Sequence, residues 1–172
     1  MKKTFLLLTA VVCAAALAGC PPPPPFSAAG SYEGTWSGTE TDTAPAKQAQ
    51  QVSECPLSLT LTQNTSQNGL GAYAVQGTAT IDYSCIELPE WIDTPPSSTV
   101  QISGVMNENG GLALASGGCG TGLCVVLVLN GQGEDTDNDG VMDSYSGDWG
   151  YAILVAGFAP FGFNGTFEVE RQ

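Results

Sequence analysis

Histidine is absent from all 172 residues. That excludes a Ser-His-Asp or Cys-His nucleophilic set and any zinc site with imidazole ligands. Positive charge is scarce: four Lys and Arg stand against seventeen Asp and Glu, for a net charge of −13. Two of the four cations, Lys2 and Lys3, sit together at the N-terminus. A phosphate cradle or a nucleic-acid groove built from Lys and Arg is excluded on that count, so no nucleic-acid partner is expected. Helical periodicity is missing outside one apolar run near the start. What is plentiful is turn chemistry, with 22 Gly and 11 Pro.

The apolar run, Thr4 to Ala18, follows the basic Met1–Lys3 start and has the length of a secretory signal core. It is shorter than the ~20 residues of a membrane-spanning helix. It ends in Leu17-Ala18-Gly19-Cys20, which resembles the lipobox of bacterial lipoproteins. The resemblance implies removal of residues 1–19 as a signal peptide. It also implies a diacylglycerol on the Cys20 thiol and a further acyl chain, palmitate, on its new amine. The alternative is cleavage after Ala16-Leu17-Ala18, which leaves Cys20 as a free thiol. Lipidation leaves an even number of cysteines. Two or more acyl chains hold a protein stably on a bilayer, at ~0.8 kcal/mol per buried CH₂. In that family an aspartate after the cysteine favours the inner membrane. Pro21 stands there instead, so the expected location is the outer membrane of the cell envelope.

Residues 20–30 read as the lipidated cysteine and a tether. Pro21–Pro25 is an unbroken proline run, expected as polyproline II at ~3.1 Å per residue and a stand-off of ~15 Å. Phe26 to Gly30 continues the spacer, and residues 31–172 form a single β domain. With the leader gone, only Lys47 and Arg171 remain against seventeen acids. Such a surface repels anionic groups and attracts cations.

Period-two alternation recurs along the domain. Tyr32, Gly34, Trp36 and Gly38 share one face of a first strand. Leu57, Leu59 and Leu61 mark a second, and the odd residues Tyr73 to Tyr83 a third. Val100, Ile102, Gly104 and Met106 line a fourth; Leu112 and Leu114 mark a short fifth. Leu123 to Leu129 is apolar on both faces, which predicts a sixth strand covered on both sides. Tyr145, Gly147, Trp149, Tyr151 and Ile153 line the seventh, and Phe161, Phe163, Gly165, Phe167 and Val169 the eighth. Asn68-Gly69, Asn109-Gly110-Gly111 and Asp139-Gly140 are hairpin signals. Residues 40–52 and 88–98 read as longer loops. The fold class is therefore all-β: an eight-stranded antiparallel meander, with a closed lipocalin-like barrel preferred over a β-sandwich.

Gly34-Thr35-Trp36 resembles the G-x-W of lipocalin-like, or calycin, barrels. There the Trp packs across the closed end of the barrel under a basic residue from near the C-terminus. The resemblance implies that part for Arg171. The chain departs from the family in showing no helix before its final strand. A hexapeptide pattern, S-Y-x-G-x-W, occurs at Ser31–Trp36 and again at Ser144–Trp149, as two strands with the same inward-aromatic solution.

The four mature cysteines are Cys55, Cys85, Cys119 and Cys124. Export to an oxidising compartment makes disulfides the default. Cys55 precedes the second strand and Cys85 follows the third, so a hairpin brings them together at its open end. Cys119 and Cys124 bracket a glycine-rich loop that can close on itself. The chosen pairing is Cys55–Cys85 and Cys119–Cys124. A Cys₄ zinc site is the competing arrangement, and C-x₄-C lies outside its usual spacing.

Asp135-Thr136-Asp137-Asn138-Asp139-Gly140-Val141-Met142-Asp143 resembles the calcium loops of EF-hands and thrombospondin type 3 repeats. Calcium takes six to eight oxygens, and carboxylates at alternate positions of a tight turn converge on one centre. The resemblance implies side-chain ligands from Asp135, Asp137, Asp139 and Asp143, the last often through water, and the Val141 backbone carbonyl. The closing ligand of the family would fall on Ser146, so Asp148 or Glu134 is left to supply the missing oxygens. Five acids crowd residues 134–143, and no Lys or Arg is expected nearby to offset them, which leaves that part to a bound cation. The competing interpretation is a solvated acidic hairpin turn. A site without the bidentate ligand is expected to bind calcium weakly, in the millimolar range of extracellular modules.

Three functions compete. The preferred one is a non-enzymatic, outer-membrane-anchored protein whose β domain has a structural or partner-binding role, the partner being a protein or glycan. The second is a calycin-like binder of a small apolar ligand, which requires an interior cavity. The third is a carboxylate-based glycan hydrolase, for which Glu87, Glu90 and Asp93 cluster beside Trp91. A proline-rich surface loop accounts for those four residues as well.

Overall fold

The computed structural model describes residues 23–41, 49–68, 70–87, 97–119, 123–155 and 161–172. Eight strands follow in chain order: β1 Gly30–Glu40, β2 Gln51–Gln67, β3 Tyr73–Asp82, β4 Ser97–Met106, β5 Gly111–Cys119, β6 Leu123–Glu134, β7 Ser144–Val155 and β8 Phe161–Arg171. Each pairs antiparallel with the next, and β8 closes on β1 in one barrel. The expected all-β meander is thus present, and it is closed rather than split into a sandwich. Closure leaves no edge strand exposed.

The interior is built by the alternation. Tyr32, Trp36, Leu57, Leu59, Leu61, Val75, Ile81, Met106, Leu129, Tyr145, Phe163 and Val169 are among the side chains buried in one continuous cluster. An eight-stranded barrel is just wide enough for side chains to fill it, and aromatic rings meet inside this one. The Trp36 and Trp149 rings lie 4.2 Å apart between centroids, Trp36 and Phe163 5.9 Å, and Tyr145 and Phe167 4.7 Å.

The two S-Y-x-G-x-W segments account for part of this packing. They fall on β1 and β7, the two strands that flank β8. Gly165 of β8 is the register partner of both Gly38 and Trp149. A Cβ on Gly165 would collide with the Ser37 carbonyl. With no side chain there, the Trp149 indole reaches over to β1 and donates from Nε1 to the Ser37 carbonyl at 3.0 Å.

The register of β1 and β2 shifts between Trp36 and Gly38, where Ser53 and Glu54 of β2 lie opposite Ser37 alone. Glu54 takes φ of 56°, a left-handed conformation rare for such a residue, and its N–H donates to Ser37 Oγ. This two-against-one arrangement is a β-bulge, which bends the strand. Beyond it, Cys55 points inward and is buried.

Two expectations need correction. The sixth strand is not covered on both sides: Leu127 and Leu129 face the core, but Val128 is 42% exposed on the outer surface. The run is apolar on both faces because small and branched apolar residues also line the outside of this quarter of the barrel. The second correction concerns the tether. Phe26 and Ala28 are buried members of the core, so the segment before Gly30 is part of the domain. Its alternation of Phe26, Ala28 and Gly30 continues the inward face of β1.

Candidate functional site

The base of the barrel, where β1 begins and β8 ends, carries the acidic loop. The loop joins β6 to β7 over residues 135–143. It folds on its own carboxylates. Asp143 Oδ2 accepts from the Thr136 N–H at 2.7 Å and the Thr136 hydroxyl at 2.6 Å, with the Asp137 N–H at 3.4 Å. Asp135 accepts from the N–H groups of Asp139 and Gly140. Asp137 Oδ1 also accepts from the Asp139 N–H, and Asp139 Oδ1 from the Val141 N–H. Asn138 and Gly140 supply the two left-handed residues, at φ of 61° and 84°. Asn tolerates that conformation and Gly adopts it freely.

Three of the expected ligands converge. One carboxylate oxygen each from Asp135, Asp137 and Asp143 lies within 4.8 Å of the others. Carboxylate oxygens are hard donors, and three of them are fewer than the six to eight oxygens that calcium takes. The hydrogen bonds from Thr136 hold the Asp143 carboxyl below its ordinary range, so it is ionised at neutral pH. Asp139 does not join the three. Its Oδ2 lies 3.3 Å from Arg171 Nη1, with the two side chains 45% and 37% exposed. Val141 forms a parallel bridge with Ser27. Ser146 lies within β7 opposite Gln132 and Glu168, and Asp148 lies opposite Asn130 and Thr166. Both are carried away from the loop along the strand.

The Arg171–Asp139 pair overturns two expectations. A cation does stand beside the acidic loop; it comes from the far end of the chain, and barrel closure delivers it. Nor does Arg171 cover Trp36. The register partner of Trp36 on β8 is Phe167, four residues before Arg171, which pairs with Tyr32 instead. Trp36 sits near the middle of β1 and Arg171 at the base, so four residues of strand separate their levels. Trp36 Nε1 has no hydrogen-bond partner among the described residues.

Sequence reasoning missed the strap that seals this base. Ser27 donates to the Gly140 carbonyl and accepts from the Met142 N–H, each at 2.8 Å. The Ala28 N–H donates to Gln63 Oε1 at 2.6 Å. The Tyr32 hydroxyl reaches the carbonyls of Ala28 and Met142, at 3.1 and 3.2 Å. Burial pushes the Tyr32 phenol up to about 12, although the Arg171 charge pulls the other way. The chain arriving from Cys20 is therefore stitched to the acidic loop itself. The apolar alternation from Phe26 onward was the signal available for it.

At the opposite end, Cys55 and Cys85 form a disulfide with Cα atoms 6.0 Å apart. Cys119 and Cys124 are direct partners across β5 and β6, and Cys124 is disulfide-bonded. The Cys119 side chain lies outside the described residues, as do Cys20, Glu90, Trp91 and Asp93. Glu87 is exposed, and its N–H donates to Gln50 Oε1. The described surface has shallow depressions on the outer face of β1, β7 and β8, lined by Thr35, Ser37, Ser146, Asp148, Thr166 and Glu168.

No family model matches the chain, and no curated protein or solved structure matches it.

Proposed function

We propose that this chain is a lipid-anchored protein of the bacterial cell envelope, held at the outer membrane through Cys20. Its barrel is non-enzymatic and has a structural or partner-binding role, and its acidic loop binds calcium weakly. The observation that carries the calcium reading is the convergence of Asp135, Asp137 and Asp143 within 4.8 Å. The cluster of buried side chains inside the barrel, with Trp36, Trp149 and Tyr145 among them, supports a structural or partner-binding role over a binder of a small apolar ligand. The disulfide between Cys55 and Cys85 accords with an oxidising compartment.

Two measurements test this. Radioactive fatty acid enters the wild type and not Cys20→Ser; label retained by the variant refutes the anchor. For calcium, a Kd near 1 mM, at ~10 mM ion, stabilises the fold by ~1.4 kcal/mol. For a domain of this size that raises Tm by ~4 °C. Asp135→Asn abolishes the rise. Identical melting curves with calcium and with chelator, and no heat of binding at millimolar calcium, reduce the loop to a turn.

A further inference from the structure

The base of the barrel carries a second feature that the calcium loop does not use. Leu70, at the turn between β2 and β3, is 92% exposed. The turn around it is built rather than loose. The Asn68 side chain accepts from the N–H groups of Leu70 and Ala72, at 2.9 and 3.1 Å. Gln67 Nε2 donates to the Gly71 carbonyl at 2.8 Å, and Gly71 takes φ of +78°. An apolar side chain is thus held out into solvent by a network of hydrogen bonds.

The surface beside it is apolar and free of charge. Ala74 and Val105 are register partners, and Val105 is in turn the partner of Ala113. Val105 is 40% exposed. Residues 55–81 and 97–107 contain no charged side chain, in a chain with seventeen acids. This rim is itself uncharged, and the acids of this end lie beside it, on the loop of residues 135–143 and at Glu108.

The occupant follows from where the chain leaves the barrel. The strap is fixed as far as Phe26 at this same end. Pro23, where the described chain begins, is three residue steps from Cys20. Three extended residues reach at most ~10 Å. A lipid chain on Cys20 therefore holds the base of the barrel against the bilayer.

From these placements we propose that Leu70, with the rim of Ala74, Val105 and Ala113 behind it, is a membrane-contact wedge that enters the lipid interface beside the anchor. It fixes the barrel base-down, so that the end with the Cys55–Cys85 disulfide faces away from the membrane. This rests on the lipid-anchor reading. A single leucine adds little affinity beside three acyl chains; its contribution is orientation.

The full chain, isolated with its lipid, is reconstituted into phosphatidylethanolamine–phosphatidylglycerol vesicles. An environment-sensitive fluorophore is placed at Leu70→Cys and, as a control on the outer face toward the other end, at Thr99→Cys. Flotation with the vesicles reads the anchor; emission reads the wedge. The expected result is flotation of both variants, with a blue shift and quenching by nitroxide-bearing acyl chains at position 70 and neither at 99. Flotation with equal, water-like emission at both positions overturns the wedge and leaves the anchor standing. No flotation refutes the anchor, and the wedge falls with it. A blue shift at position 70 without vesicles, rising with protein concentration, assigns the rim to a second copy and overturns the proposal. Leu70→Trp, quenched by brominated acyl chains, repeats the reading without an added thiol.

Discussion

Arg171 Nη1 lies 3.3 Å from Asp139 Oδ2, which joins the last strand to the acidic loop. Of the four aspartates between Asp135 and Asp143, Asp139 is the one outside the convergent set. The arginine does two opposed things there: it offsets carboxylate repulsion, and it repels an incoming cation. Replacing it by glutamine should therefore raise calcium affinity, by about threefold, from the loss of one screened unit charge near a divalent ion. The pair is partly exposed, so stability should change by less than ~1 kcal/mol. Titration calorimetry of Arg171→Gln reads the first effect and urea unfolding the second. Unchanged or weaker calcium binding in the variant would show that the arginine does not compete with the ion.

The strap makes a different demand. Phe26 is buried in the base, its ring close to Gly110 and Gly133. Truncation to alanine removes core packing from a segment outside the barrel strands. Phe26→Ala should cost ~3 kcal/mol. Amide exchange should rise at Ser27 and Met142, whose bonds stitch strap to loop. A loss under ~1 kcal/mol would return residues 26–29 to the tether.

The Cys55–Cys85 bridge closes a separation of 30 residues. Loop-closure entropy places its contribution at ~3.6 kcal/mol. The double Cys→Ala variant should lose about that much in urea, with the barrel retained at low temperature. Because Cys55 is the register partner of Trp36, the same variant should change tryptophan emission.

Three buried phenols set an alkaline limit. Burial raises Tyr32 to about 12 and pushes Tyr145 and Tyr151 up as well, the last also through its bond to the Tyr83 hydroxyl. The folded barrel keeps these groups neutral, whereas the unfolded chain ionises them near the ordinary value of 10. Their contribution is thus fully present below pH 10 and is lost as pH rises from 10 toward about 12. The urea midpoint should be flat from pH 7 to 9 and fall steeply above 10. Tyr32→Phe should soften the fall. Asp143 works in the opposite direction: its depressed carboxyl supports the loop at neutral pH and gives way below its ordinary value of 3.8.

Much of the strand pattern was legible in the chain. Alternation at Tyr32–Gly38, Leu57–Leu61 and Tyr73–Tyr83 named the inward residues, because period-two geometry leaves no other way to bury them. The turn at Asp139-Gly140 was legible too, and so was the approach of Asp135, Asp137 and Asp143, since they are neighbours in sequence; that Asp139 stands apart from them was not. The strap was half legible in Phe26 and Ala28, but the preceding prolines masked it as linker. The outer exposure of Val128 was not legible, because an apolar run does not say which of its faces is covered.

By itself, then, the amino-acid order determined much that depends on near neighbours: the inward faces of the alternating strands, the turn positions and the absence of histidine chemistry. Only the tertiary structure decided what depends on closure. It brought Arg171 to Asp139, 32 residues away, Ser27 to Val141, and Trp149 across Gly165 to Ser37. The physical reason is that a local backbone conformation is chosen by the side chains beside it. Which distant groups meet is set by the register that closes eight strands into one barrel, and no single segment carries that register.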